Sequence, residues 1–302
     1  TTEIYTLSLH DALPISYHLR KILLVNNDEN SSKMKNLNYS FYVTFFGILF
    51  LLILYKVLNV PITHDEVPTT IFYSKFSYWE IMMFPDNIPN NHILNTLLTK
   101  CCIQLFGKEQ WSVRLPNLLS FILFAIGVFR ILKSRINAES FYFPLAAILF
   151  VNPYLLDFFG LSRGYGLSCA LLTLSVSFLI SGYKFSNTKH IWYSIVLSIF
   201  ASYANFTLLV FWFANTLMAM LYFFIHNYKN SRQLFKHALI LGILSLSYLA
   251  LIYVPIKKMH SSNEFQYWTS NGFYKDTIIS LIHNWQYDSQ ILERIGKTFI
   301  SI

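Results

Sequence analysis

Phe41 to Val60 reads FYVTFFGILFLLILYKVLNV, twenty residues carrying a single charge. A bilayer's hydrocarbon core is crossed by about 20 mainly apolar residues in a helix. Lys56 stands near the end of the run, where its apolar stem can remain in hydrocarbon while the ammonium reaches water. Pro61 then halts the helix. Outward from this run the pattern recurs: Pro116 to about Leu132, Ser140 to about Leu156 with Pro144 and Pro153 inside it, Leu167 to Gly182, Ile191 to about Ala204, Phe206 to Ile225, and Ala238 to Ile256. The Ile191 stretch is short for a full crossing and is expected to be tilted or partial. Lipid offers backbone groups no partner, so only helices or closed barrels span it, and the expectation is an all-α polytopic membrane protein with about seven spans.

Composition points the same way. The chain is 54% hydrophobic and 18% aromatic but only 13% charged, where a soluble domain carries about 25%. A soluble enzyme, a collagen-like chain and a disordered chain are all excluded. The net charge of +8 is dispersed between apolar runs, so no basic patch for nucleic acid forms. Cys101, Cys102 and Cys169 lack the spacing of a disulfide framework or zinc site and read as small apolar residues.

Thr1 to Ser16, TTEIYTLSLHDALPIS, has no signal-peptide pattern. It resembles the in-frame translation of a short-read sequencing adapter and is set aside. Residues 17–40 read as a cytoplasmic tail; Met34 reads as a native start, since MKNLNYS leads straight into the first apolar run. Residues 257–302 read as the beginning of a second outer loop, cut off partway.

Orientation follows from bases in the short connections. Lys33 and Lys35 precede the first span, Lys133 and Arg135 follow the second, Lys184 and Lys189 the fourth, and Lys229, Arg232 and Lys236 the sixth. All lie on one side, which places the amino terminus in the cytoplasm. The loop 62–113 then faces outward, to the periplasm of a bacterial inner membrane. Within it, Ile93, Leu94, Leu97, Leu98, Cys101, Leu105 and Phe106 recur at helical spacing up to Gly107, which predicts an amphipathic helix along the interface.

The chemistry is sought among the few outer charges. THDE, Thr63 to Glu66, sets two carboxylates beside the end of the first span. Asp65 there is either a general base for a hydroxyl nucleophile or a solvated cap at a helix start. Asn91 and His92 open the interfacial helix, either as an N-cap with an exposed histidine or as donors to a phosphate. Arg163 stands among aromatics; a guanidinium there suits phosphate, while the alternatives are an ion pair with Asp157 or a snorkelling side chain. Arg114 reads as an interfacial anchor first and a second phosphate contact otherwise. GLSRG, Gly160 to Gly164, matches a nucleophile elbow in letters only, because it lies between membrane helices and not in a soluble sheet.

DE at 65–66, NNHxLNTLL from Asn90, LFGxxxWxxRLP from Leu105 and NPYLLDFFxLSRGYG from Asn152 stand in a familiar order. Over Met34 to Ile302 the chain resembles the polyprenyl-phosphate-dependent membrane glycosyltransferases of the GT-C class, in particular glycosyltransferase family 39, which includes protein O-mannosyltransferases and the aminoarabinose transferase of lipid A. Family members are usually longer. The resemblance implies a GT-C-type helical bundle with a large first outer loop. It also implies inverting transfer of a sugar from a polyprenyl phosphate to a hydroxyl of a glycan, lipid or protein. Asp65 would be the base, with Glu66 beside it. Arg163, His92 and Arg114 would serve the donor phosphate, and Asn91 and Tyr165 would contact substrate. No cofactor is implied and no metal is expected, although His64, Asp65, Glu66 and His92 are of ligating type.

Overall fold

A computed structural model describes residues 9–86, 91–136, 140 and 142–261. The helices are α1 (Leu9–Asn59), α2 (Tyr78–Met82), α3 (Ile93–Phe106), α4 (Gln110–Arg135), α5 (Tyr142–Leu149), α6 (Pro153–Phe159), α7 (Gly164–Lys184), α8 (Thr188–Ala204), α9 (Leu209–Asn227) and α10 (Ser231–Ser261), with no strand among the described residues. Five stretches are long and apolar enough to cross a membrane: Ser32–Asn59 of α1, α4, α7, Phe206–Asn227 and α10. Two of the roughly seven expected spans, 140–156 and 191–204, are not among the five, the latter being short as expected.

The run from Ser140 to Leu156, with its two internal prolines, is two short helices, α5 and α6. Pro153 has no N–H to donate and forces the residue before it out of helical geometry. Asn152 is accordingly extended (φ −111°, ψ 135°) and its side chain accepts from the Tyr154 amide at 2.8 Å. The broken pair nevertheless follows α1 from Asn38 to Lys56. Asn38 Nδ2 donates to the Ser140 carbonyl at 3.1 Å, and Lys56 pairs with Asp157 at the other end. Those two α1 positions are about 27 Å apart at 1.5 Å per residue. The Lys56 ammonium, expected to snorkel, is thus met by a carboxylate, and Asp157 is taken from Arg163.

The second exception, α8, has 17 residues. It lies antiparallel to α7 along its length. Ser175 Oγ donates to the Ser194 carbonyl at 2.8 Å, Ser194 Oγ donates to Asn215 on α9 at 3.1 Å, and Ala204 abuts Gly164. Small residues and interhelical hydroxyl bonds are how helices approach closely when lipid removes the hydrophobic drive between them.

Aromatics fill the joint between α1, α4, α5 and α6. Tyr42, Phe46, Phe121, Phe124, Phe143 and Phe159 are all buried, and the Tyr42 hydroxyl donates to the Ala125 carbonyl at 2.5 Å. The single apolar stripe expected on α3 is divided in two. Ile93 is buried together with Asn95, Thr96 and Thr99, whereas Leu98, Cys101, Leu105 and Phe106 face outward. Gly107, at φ 83°, ends the helix in a conformation that favours glycine, its amide donating to Ile103 at 2.9 Å.

The α7–α8 contact allows a direct check. A Cβ at Gly182 would overlap the end of the Ile191 side chain and sit 2.9 Å from its Cγ1, while nothing lies within 4 Å at Gly242. Gly182→Ala is expected to cost about 1–3 kcal/mol by overpacking. Gly242→Ala should leave stability unchanged or raise it. Thermal unfolding of the two variants in detergent distinguishes them.

Candidate functional site

The loop after α1 is anchored by one buried ion pair. Arg114, near the start of α4, and Glu66 both have fully buried side chains. The guanidinium has five N–H groups and all are used: Nε to Glu66 Oε1 (2.8 Å), Nη2 to Glu66 Oε2 (2.6 Å) and Pro61 O (2.9 Å), and Nη1 to Val60 O (2.6 Å) and Val57 O (3.3 Å). The carbonyls belong to the carboxyl-terminal end of α1 and its exit, where helical oxygens lack partners and a cation is favoured. Glu66 is equally saturated. Oε1 also accepts the Ser162 amide at 2.7 Å, and Oε2 the Thr63 amide and hydroxyl at 2.9 and 3.1 Å. Burial works to raise the Glu66 pKa, but the Arg114 hydrogen bonds and the Thr63 and Ser162 amides outweigh it, and the carboxyl lies below its ordinary value.

Two expected roles are corrected by this geometry. Glu66 has no exposed oxygen with which to take a proton from substrate, and Arg114 has no donor left for a phosphate. Both are structural. Nor is Arg114 an anchor at the membrane interface: its partners are helix carbonyls and a carboxylate inside the protein.

Next to this closed pair lies an open one. The Asp65 side chain is 62% exposed and meets Arg163 Nη1 at 2.6 Å, and the Arg163 side chain is 16% exposed. Arg163 comes from the turn between α6 and α7, held because Glu66 accepts the Ser162 amide and Ser162 Oγ lies 3.3 Å from Thr99 on α3. Ser162 is buried, which removes any nucleophilic use of the GLSRG letters. The guanidinium stands 5.2 Å from the Tyr165 ring, and Tyr165 in turn contacts Phe158 (5.0 Å) and the His92 ring (4.7 Å, edge-on). Asp65, Arg163, Tyr165 and His92 thus form one cluster at the Asn59 end of α1.

His92 enters it as something other than a phosphate donor. It is buried, and Nδ1 lies 3.2 Å from the Ala204 carbonyl. A carbonyl oxygen can only accept, so Nδ1 carries the proton and Nε2 a lone pair. Nε2 is buried without a partner. Burial, then the positive charge of Arg163, bring the imidazole pKa down to about 4, against the pull of the Ala204 bond. His92 therefore presents a neutral acceptor, suited to a hydroxyl. Room for the ring comes from Gly164, where a Cβ would clash with Ala204 O and stand 2.6 Å from His92 Cβ.

Asn91 turns inward: Nδ2 donates to Ile81 O at 3.3 Å and Oδ1 accepts from Thr96 at 2.9 Å, so it ties α2 to α3. Asn95 and Asn117 escaped the sequence reading. The Leu167 amide donates to Asn117 Oδ1 at 3.1 Å and Asn117 Nδ2 to Asn95 Oδ1 at 2.6 Å, joining the starts of α3, α4 and α7. The spacing of Asn95 three residues after His92 was the available signal. A cavity of about 570 Å³ between α1 and α4 is lined by Tyr39, Tyr42, Phe46, Gly47, Phe121 and Phe129. It is distant from this cluster, toward the other end of α1, and holds no acidic or basic side chain. Among the described residues no group of three or more His, Cys, Asp or Glu converges on a point.

Two outcomes are expected. Arg114→Met leaves a buried unpaired carboxylate and should cost about 3–5 kcal/mol, part of which returns in Arg114→Met/Glu66→Met, as read by thermal unfolding of single and double variants. Because the folded pKa of His92 lies below the unfolded 6.5, the unfolded chain binds more protons, and stability falls as pH drops from 6.5 toward 4. Unfolding midpoints of wild type and His92→Gln should converge in sign with this: the variant loses that part of the acid slope. No family model, no curated protein and no solved structure matches the chain.

Proposed function

We propose that the chain is a seven-pass membrane glycosyltransferase of the GT-C type, resembling family 39, that moves a sugar from a polyprenyl phosphate to an acceptor hydroxyl at the outer face of a bacterial inner membrane. The observation that carries this reading is the 2.6 Å pair of Asp65 and Arg163 beside Tyr165 and His92. It joins a solvent-accessible carboxylate to a partly sheltered cation at one end of the helices. The end-to-end pairings of α5–α6 with α1 and of α8 with α7 support the two further crossings that make seven.

The reaction is a single in-line displacement. The acceptor oxygen attacks the anomeric carbon, the bond from that carbon to the phosphate oxygen breaks, and the hydroxyl proton passes to Asp65. The configuration inverts and polyprenyl phosphate leaves. Negative charge grows on the leaving phosphate, so a fixed cation beside it lowers the barrier. Arg163 fills that role by exchange: it rests on Asp65 before substrate arrives and turns to the phosphate when the donor binds. The exchange releases the Asp65 carboxylate at the moment a base is required. His92, a neutral acceptor through Nε2, takes a hydroxyl of the bound sugar, and the ring of Tyr165 lines the same space. Lipid bilayer, lipid-linked sugar and an acceptor glycan, lipid or protein are the partners; no cofactor enters the scheme.

The test uses full-length protein in membranes with labelled polyprenyl-phosphate sugar. Asp65→Asn is expected to lower transfer by about 10²–10⁴-fold, the usual contribution of a general base. Arg163→Gln should lower it comparably. Transfer that survives Asp65→Asn removes the base assignment, and movement of the labelled lipid across the membrane with no transfer would make the protein a carrier.

A further inference from the structure

We propose that Arg130 is the centre of a binding site for the phosphate of an anionic phospholipid, at the end of the bundle opposite Asp65. Its side chain crosses from α4 to α7 and is held there at two points. Nε donates to Ser177 Oγ at 3.1 Å, and the guanidinium carbon stands 3.9 Å from the centre of the Phe178 ring. Ser177 is free to accept because its own proton goes to the Leu174 carbonyl at 2.7 Å. The Phe178 ring is braced in turn by His190 and Tyr193 of α8, at 5.5 and 5.4 Å between ring centres. A guanidinium laid on an aromatic face with Nε fixed is an oriented fork. Nη1 and Nη2 carry four N–H groups between them, and none has an acceptor among the described residues.

Nothing described nearby balances this charge. Lys133 follows one turn later on α4, and the Lys184 ammonium at the end of α7 reaches the Ser134 carbonyl at 2.6 Å. Among the described side chains the carboxylates are Asp65, Glu66, Glu80, Asp86, Glu109 and Asp157. They stand in the loop between α1 and α4 or, as Asp157, against Lys56 at that same end. The two other sheltered arginines each meet one of them, Arg114 with Glu66 and Arg163 with Asp65. Arg130 alone of the three is left half-buried among like charges, an arrangement that an anion completes.

Depth selects the source of that anion. Gln110 and Arg130 are 20 positions apart on α4, which is about 30 Å along a helix and equal to the hydrocarbon thickness of about 30 Å. With the start of α4 at one headgroup layer, the guanidinium stands at the other, where lipid phosphates lie. Tyr193, 52% exposed beside the fork, is the kind of residue that concentrates at this boundary. Two phosphate oxygens match the fork together, and basic pockets between spans are where anionic headgroups are taken. Free phosphate offers the same oxygens but no tail to hold it at this depth. A zwitterionic headgroup brings its own ammonium among the lysines and is disfavoured.

The site is tested without any transfer activity. The full chain in a neutral detergent is titrated with phosphatidylglycerol, phosphatidylcholine or inorganic phosphate and followed by native mass spectrometry. Wild type is expected to bind phosphatidylglycerol about 10-fold more tightly than phosphatidylcholine, the scale of one hydrogen bond to a charged group. Inorganic phosphate at equal concentration should not displace it. Arg130→Gln and Arg130→Lys should both lose the preference, the second because an ammonium has neither the fork nor the flat face. Phe178→Leu, which removes only the platform, should weaken it in part. Arg232→Gln, at an exposed base at the start of α10, should leave it unchanged. Equal affinity of wild type for the two lipids, or undiminished preference in Arg130→Lys, overturns the proposal. An equal loss in Arg232→Gln reduces the effect to net charge and overturns it as well. Displacement by inorganic phosphate makes the ligand a soluble phosphate and overturns the lipid assignment. The wild-type comparison and Phe178→Leu decide the matter even where an Arg130 variant does not fold.

Discussion

The buried pair of Arg114 and Glu66 is the constraint on which the rest of the site depends. Taking two charges out of water costs several kcal/mol per ion, and attraction repays that only when every remaining donor and acceptor is satisfied. Here the guanidinium is fully spent and both carboxylate oxygens accept from more than one partner. The network reaches the end of α1, the loop behind it, the start of α4 and the turn before α7. An apolar cluster could hold these segments together, but it would not specify which residue faces which. Saturated hydrogen bonds do, because a shift of one residue would leave a buried charge unpaired.

That closed pair sets up the open one. Asp65 and Glu66 are neighbours in sequence and opposites in environment. With Glu66 turned into the protein, Asp65 is directed outward, and the turn that Glu66 holds through the Ser162 amide presents Arg163 to it. One arginine is locked by five acceptors, while the other rests on a carboxylate that solvent also reaches. Only an ion pair of the second kind can be exchanged for a substrate at modest cost. The dry pair builds the scaffold and the half-wet pair keeps contact with solvent, a division set by burial and not by residue type.

Lipid also accounts for the inside-out distribution of polar groups. Ser175, Ser194 and Asn215 meet in the interior of the bundle, and the Ser202 hydroxyl and Tyr248 hydroxyl lie 2.6 Å apart. Outward positions on the same helices carry large apolar side chains such as Phe200, Val210 and Leu246. In water this would be an unstable arrangement; in hydrocarbon an outward polar group is the costly one. α3 shows the same distribution, with Asn95, Thr96 and Thr99 buried and Leu98, Leu105 and Phe106 exposed, although it is too short to cross.

Much of this was legible in the residues themselves. Apolar runs near 20 residues, prolines at their ends and bases confined to alternate connections are local signals, and they determine by themselves that the chain is helical, apolar on its outer surfaces and long enough to span a membrane at several places. The same reading marked 65, 92 and 163 as positions where rare charges and an imidazole stand at one end of the spans. It could not separate the two carboxylates, because adjacent letters carry no record of which side chain is turned inward. It took Arg114 for an interfacial anchor and His92 for an exposed side chain or a hydrogen-bond donor to a phosphate, since their partners are the carbonyls of Val57, Val60 and Pro61 and of Ala204, contributed by distant stretches of backbone. The division of the α3 stripe was decided likewise by packing, whereas the break at Asn152 follows locally from Pro153. Tertiary structure settled who pairs with whom, for the physical reason that hydrogen bonds and ion pairs act over about 3 Å in space, whatever the separation along the chain.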